Sequence, residues 1–248
     1  PEGPAGSQGK DYEPPPGNGL KMSISGVVIG EDLRPVVSIS LTDENDRPIA
    51  AELLEGWGFT IAQVEQDEQT KLTRYQSLLV REVEGKPYQL NGETVEPAQA
   101  EATQAYADSG GSWEDQGGGA YTYTFGDALP EPPDPNLVTV VGMYAYRNNR
   151  QSVVNDVYSF VQGGTNPIAE RQIVTNAACN LCHNPLQAHG GTRSQVGLCV
   201  TCHTDQTVDP ETGNTLEMKV LVHRLHFGRQ LPSVQEGTPY TIVGYRQS

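Results

Sequence analysis

The stretch Cys179-Asn180-Leu181-Cys182-His183 returns twenty residues later as Cys199-Val200-Thr201-Cys202-His203. In each copy two thiols stand three positions apart and an imidazole follows at once. That is the spacing of a c-type haem attachment site. Two cysteines so placed can bond both vinyl groups along one porphyrin edge, and the next residue carries its ring nitrogen under the iron. All four cysteines of the chain fall in these two pairs, and only five of its 248 residues are histidine. A histidine directly after both pairs is therefore a specific signal. A zinc ribbon shares the C-x2-C spacing but has no use for those histidines, and a disulfide within such a pair is strained. Cys179, Cys182, Cys199 and Cys202 are read as the covalent anchors of two haems c, with His183 and His203 as proximal iron ligands.

Working outward, the remaining histidines, His189, His223 and His226, also lie beyond residue 180. Their confinement to the cysteine-bearing part of the chain makes them candidate distal ligands. His189 precedes Gly190-Gly191, where small residues let the backbone approach a flat ring closely. His223 and His226 stand three apart in a stretch, 216–227, that reads as a helix, so both imidazoles share a face. Two six-coordinate irons need four imidazoles and the chain offers five. One candidate is in excess, and the expectation is that it ligates a third haem from outside this segment or from an adjacent subunit. With both axial positions filled, neither iron offers a place for a small molecule, and the chemistry expected is electron transfer. A haem enzyme with one open position is the alternative, and a zinc-ribbon binding domain a more distant one.

Beyond residue 165 aliphatic residues are sparse, too few for an independent core of about eighty residues, and buried macrocycles would supply the apolar surface that is missing. Upstream the pattern is that of strands. Val37, Ile39 and Leu41 alternate with Ser38 and Ser40, and Tyr121, Tyr123 and Phe125 alternate likewise. Leu137–Tyr146 and Val153–Val161 read as longer strands. Asp43-Glu44-Asn45-Asp46 supplies turn chemistry. Residues 91–119 are polar, acidic and glycine-rich, which predicts a surface excursion with a short helix over 98–105. The division expected is a Gly/Pro-rich tether over 1–19, an antiparallel β sandwich or barrel over 20–164, and a small dihaem c-type module over 165–248.

The balance of 16 basic against 31 acidic residues, a net charge of −15, argues against nucleic acid or an anionic membrane surface as a partner. No run of eighteen apolar residues occurs, so no spanning helix is expected.

The run Cys179–His183, then His189-Gly190-Gly191-Thr192-Arg193, then Leu198–His203 resembles the outer-surface decahaem cytochromes of the OmcA/MtrC family. Asp209–Asn214 and His223–Gly228 share the resemblance, with fainter echoes in Tyr121–Phe125 and Val157–Val161. It implies an N-terminal antiparallel β domain and the start of a multihaem module, with His189, His223 and His226 matching distal ligands. It also implies extracellular electron transfer to metal oxides, to redox shuttles, or to partner multihaem cytochromes and an outer-membrane conduit. The location implied is the outer cell surface, reached by secretion and a lipid anchor outside these residues. Family members carry about ten haems where this chain has two sites, so a piece of a longer protein or a dihaem relative is expected.

Overall fold

The computed structural model describes residues 17–244, apart from 67, 70, 71, 163 and 165–172. The expected boundary at 163–167 and residues 1–16 of the expected tether thus lie outside the described residues, Gly164 excepted. Two antiparallel sheets carry the fold. The first joins β1 (Lys21–Ile29), β2 (Pro35–Thr42), β10 (Ala120–Thr124) and β9 (Ser112–Gly117) in that order. The second joins β12 (Ser152–Val161), β11 (Val138–Arg147), β3 (Gly56–Gln66) and β4 (Thr73–Ser77). Two ribbons complete the strands described: β5 (Val80–Glu84) with β8 (Glu101–Ala105), and β6 (Tyr88–Leu90) with β7 (Glu93–Val95).

The strand alternation read from the sequence sets the core. Val37, Ile39 and Leu41 of β2 and Tyr121 and Tyr123 of β10 point inward, against Phe59 and Ile61 of β3 and Val141 and Met143 of β11. The Phe59 ring stacks on Tyr123 with centroids 4.3 Å apart, joining the two sheets. The architecture is therefore a sandwich. Along one edge β1 and β12 approach each other, and the Asp156 carboxylate accepts from the Ile24 amide at 2.7 Å.

The central strands of the second sheet break the alternation. Residues Phe59–Val64 of β3 and Val138–Met143 of β11 are buried without interruption. Such runs mark strands covered on both faces. The inner face packs the sandwich; the outer face carries the cysteine-bearing module.

The short helix expected over 98–105 is a correction. Glu101–Ala105 is β8, paired in register with β5 from Val80↔Ala105 to Glu84↔Glu101. Alanine, glutamine and glutamate are good helix formers, but intrinsic propensity is a small effect, and the ready ladder of backbone partners on β5 overrides it.

Asp43 closes the turn after β2. Its buried carboxylate accepts from the backbone amides of Gly17, Asn45 and Arg47 and from Arg47 Nε at 2.8 Å. Burial alone would raise its pKa. The amides of Arg47, Gly17 and Asn45 and the Arg47 guanidinium outweigh burial and hold it at about 2. A folded-state pKa below the unfolded one contributes stability above the unfolded value and loses it as pH falls through the folded value. Melting temperature is thus expected to fall between about pH 4 and about pH 2, and less steeply in Asp43→Asn. Parallel acid titrations of the two proteins would show that this turn contributes nothing.

Candidate functional site

The two cysteine motifs fold alike. α1 (Asn176–Asn180) is capped by Thr175, whose hydroxyl accepts from the Ala178 amide at 3.2 Å. Past its end, the amides of Cys182 and His183 donate to the Cys179 carbonyl at 3.1 and 3.0 Å. α2 (Val196–Cys199) is followed by the same turn, with Cys202 and His203 donating to the Cys199 carbonyl at 3.2 and 2.9 Å. Each turn therefore sets two thiols and an imidazole at i, i+3 and i+4 of one helical repeat, on a common side. None of the four cysteines is in a disulfide. Burial pushes the Cys202 thiol up to about 11 and also raises that of Cys199.

Each proximal histidine is brought to one other histidine. The rings of His183 and His226 have centroids 6.1 Å apart, and those of His203 and His189 lie 5.9 Å apart. Metal–imidazole bonds of about 2 Å on either side of one iron, plus half of each ring, space two centroids by roughly 6 Å. The residues fit a six-coordinate haem iron between the members of each pair. His226 is on α3 (Met218–Phe227) and His189 in the loop between the two motifs. Among the described residues no three His, Cys, Asp or Glu side chains converge as a zinc ribbon requires.

In two of the four rings Nδ1 is engaged by a backbone carbonyl. His203 Nδ1 lies 2.9 Å from the Leu216 carbonyl, and His226 Nδ1 lies 2.8 Å from the Val222 carbonyl. A carbonyl oxygen only accepts, so Nδ1 carries the proton and Nε2 keeps its lone pair for a metal. His189, although reached by solvent, is lowered to about 4 by desolvation first and then by the charges of Arg193 and His203. His203 is also lowered, by desolvation. Both are held neutral, the form that binds a metal. His223 lies one turn before His226 on α3, exposed, with its Nδ1 against the Lys219 carbonyl. Among the described residues it has no ring contact with another histidine.

The two sites differ in their surroundings. Cys182, His183 and His226 are exposed, and Leu181 beside them is 86% exposed. The second site is docked on the sandwich. Thr201, fully buried, shares a 2.7 Å hydroxyl contact with Thr60 of β3. Leu198 sits over Gly142 of β11 so closely that a Cβ on Gly142 would lie 2.7 Å from Leu198 Cδ1. Gln206 Oε1 accepts from the Ser77 amide at 2.8 Å, and Thr207 Oγ1 from the Ala105 amide at 3.3 Å. A crevice of about 380 Å³ flanks His203, lined by Val157, Val196, Val200 and Met218. It touches neither His189 nor a thiol, so it borders the second site.

Sequence reasoning had no means of finding Thr60, Gly142 or Asn155, because each is an ordinary strand residue until the module is laid on it. Asn155 of β12, 7% exposed, bonds Thr192, Ser194 and Gln195 in the segment that follows His189. Its Nδ2 donates to the Thr192 carbonyl at 2.9 Å, and its Oδ1 accepts from the Ser194 amide at 2.7 Å. Its own carbonyl accepts from Gln195 Nε2 at 2.8 Å. Arg193 lies over the Tyr144 ring, 3.5 Å from its centroid.

Residues 171–245 match the family model described as outer membrane cytochrome MtrC/MtrF-like, domains II/IV. Over 213 residues the chain is 29% identical to the multiheme cytochrome MtrC of Shewanella baltica (strain OS185), covering 81% of this chain and 29% of that one. It superposes on the outer membrane decaheme cytochrome OmcA with a TM-score of 0.75 at 22% identity, over 93% of this chain and 37% of that one. On MtrC from Shewanella baltica OS185 the TM-score is 0.58 at 26% identity, over 84% and 32% of the two chains. The likeness to OmcA is one of fold. In length the chain spans 29% of the curated relative.

Proposed function

Since the chain is related by sequence and fold to the OmcA/MtrC-family multihaem cytochromes, we propose that it is an electron-carrying module with two covalently attached, bis-histidine haems c. Cys179 and Cys182 anchor the first, between His183 and His226; Cys199 and Cys202 anchor the second, between His203 and His189. The observation that carries this reading is the 6.1 and 5.9 Å spacing of those ring pairs. A haem held at each pair supplies a one-electron couple. The protein's part is to fix the axial imidazoles and withhold any open position at the iron. Electrons then enter and leave by proximity, with no bond made to substrate.

His223 is the imidazole in excess. Its exposed ring, held by Nδ1 with Nε2 outward, suits a third haem supplied from outside this segment or by a neighbouring subunit. The domains follow from this reading: a tether over 1–19, the β sandwich over 20–164 and the dihaem module over 165–248. The family model is of outer-membrane cytochromes, which supports the outer cell surface as location. Other multihaem cytochromes of an outer-membrane conduit are the proposed partners, and metal oxides or redox shuttles the proposed acceptors.

Visible spectra of the purified holoprotein, oxidised and reduced, test the reading. Two low-spin haems per chain, unchanged by carbon monoxide, are expected. A high-spin component that binds carbon monoxide in the unaltered protein would overturn the bis-histidine assignment and favour an enzyme with an open iron.

A further inference from the structure

The loop that carries His189 has an unusual backbone. His189 itself has φ of +51°, and Gly190 and Gly191 follow at +70° and +85°. Three successive residues in the left-handed region, the first with a side chain, are held there only when the surroundings over-determine them. Within the loop, the Ala188 amide donates to the Arg193 carbonyl at 2.8 Å, and Thr192 Oγ1 to the His189 carbonyl at 3.0 Å. These bonds close the loop on itself. They do not fix where it sits above the second motif.

That placement comes from the sandwich. Thr192 is 2% exposed and its carbonyl is held by Asn155 Nδ2, while Asn155 Oδ1 takes both the amide and the hydroxyl of Ser194, at 2.7 and 3.1 Å. One buried amide thus uses its donor and its acceptor on the two residues that flank Arg193. Arg193 is seated on Tyr144 of the neighbouring strand. Next to His189 itself, Arg150 Nη1 donates to the Gly190 carbonyl at 3.2 Å. Arg150 is exposed and its bond is long, whereas Asn155 is buried and its bonds are short.

We propose that Asn155 is a positioning residue for His189, so that the β sandwich, through this one amide, keeps the second iron six-coordinate. The proposal rests on the reading that His189 is the axial partner of His203. Without the Asn155 side chain the Thr192 carbonyl and the Ser194 amide lose their buried partners. The loop can then leave its strained arrangement, and the imidazole spends part of its time away from the iron. The first site, whose distal ligand is on α3, is unaffected.

The test uses carbon monoxide binding and the high-spin fraction of the dihaem holoprotein. His189→Ala serves as the reference and is expected to open one of the two irons. If it opens neither, the axial reading itself has failed, whatever Asn155 does. Given that opening, Asn155→Ala is expected to raise the carbon-monoxide-reactive share of the second site from the per-cent level to roughly a tenth or more. The double variant should bind no more than His189→Ala alone, because both changes act on one iron. An Asn155→Ala protein as inert as the unaltered one overturns the proposal. So does reactivity at both irons, which would mark a general loss of structure. If Asn155→Ala does not fold, Asn155→Asp keeps the acceptor for Ser194 and loses the donor to Thr192. It should show the same opening at smaller amplitude, and its complete inertness would count equally against the proposal.

Discussion

Replacing His226 by alanine is expected to leave one of the two irons with a single axial ligand, turning half of the haem high-spin and reactive to carbon monoxide. The ring spacing pairs His226 with His183 at 6.1 Å, and α3 is the element that brings it there. No other described imidazole has a ring contact with His183, so none is placed to replace the lost ligand. The contrast lies three residues away. His223 occupies the same helix and makes the same kind of Nδ1 bond to the preceding turn, yet its removal should leave both resident haems low-spin. Spectra of His226→Ala and His223→Ala, with and without carbon monoxide, check the assignment. An open iron in His223→Ala together with an unchanged His226→Ala would reverse it. The measurement separates a distal ligand of this chain from one that serves a haem elsewhere.

The second large effect falls on the sandwich and spares the haems. Phe59→Ala is expected to cost about 3–5 kcal/mol, the usual range for removing a fully buried aromatic ring. Phe59 has no exposed surface, stacks on Tyr123 at 4.3 Å, and lies 5.9 Å from both Trp113 and Phe125. Neighbouring chain cannot collapse into that space without moving both sheets. Domains of this kind have a total stability of about 5–15 kcal/mol, so the loss is a large share of it. Because successive strand residues face opposite ways, Phe59 points into the sandwich while Thr60 meets Thr201. Denaturant titration of the folded variant should therefore show a lowered midpoint alongside an unchanged low-spin spectrum. A shift of under about 1 kcal/mol would mean that this ring is not the centre of the core.

What could be read from the sequence was whatever a short spacing fixes. The C-x2-C-H motifs state their chemistry within five residues, and the turn that realises them is one helical repeat. Val37, Ile39 and Leu41 announce their buried face by alternation, because β2 has one side in the core. The same logic loses its grip on β3 and β11, where both faces are covered and alternation disappears. The run at Val138–Val141 is legible as strand but gives no hint of what lies on its outer side. Over 98–105, the alanines and glutamines favour a helix, and pairing with β5 overrides that preference. Distal ligation was legible as three candidates, His189, His223 and His226, for two places. Which imidazole meets which iron depends on contacts between distant segments, such as His183 with His226. Asn155 illustrates the limit: one amide in a strand, whose importance is set by a loop some forty residues further on.

The outer face of the second sheet, covered by the cysteine-bearing module, has a consequence for direction. A protein sandwich is an electrical insulator, and its two sheets stand about 10 Å apart. Any donor or acceptor approaching the second site from behind the sandwich is kept at least that far from it, and tunnelling falls steeply with distance. The strand contacts that seat the module, from Thr60, Ser77, Ala105 and Gly142, are made by the second motif and the residues on either side of it. On the proposed reading, the sandwich closes off its own flank of the second site, and exchange there is left to the exposed side that carries His189.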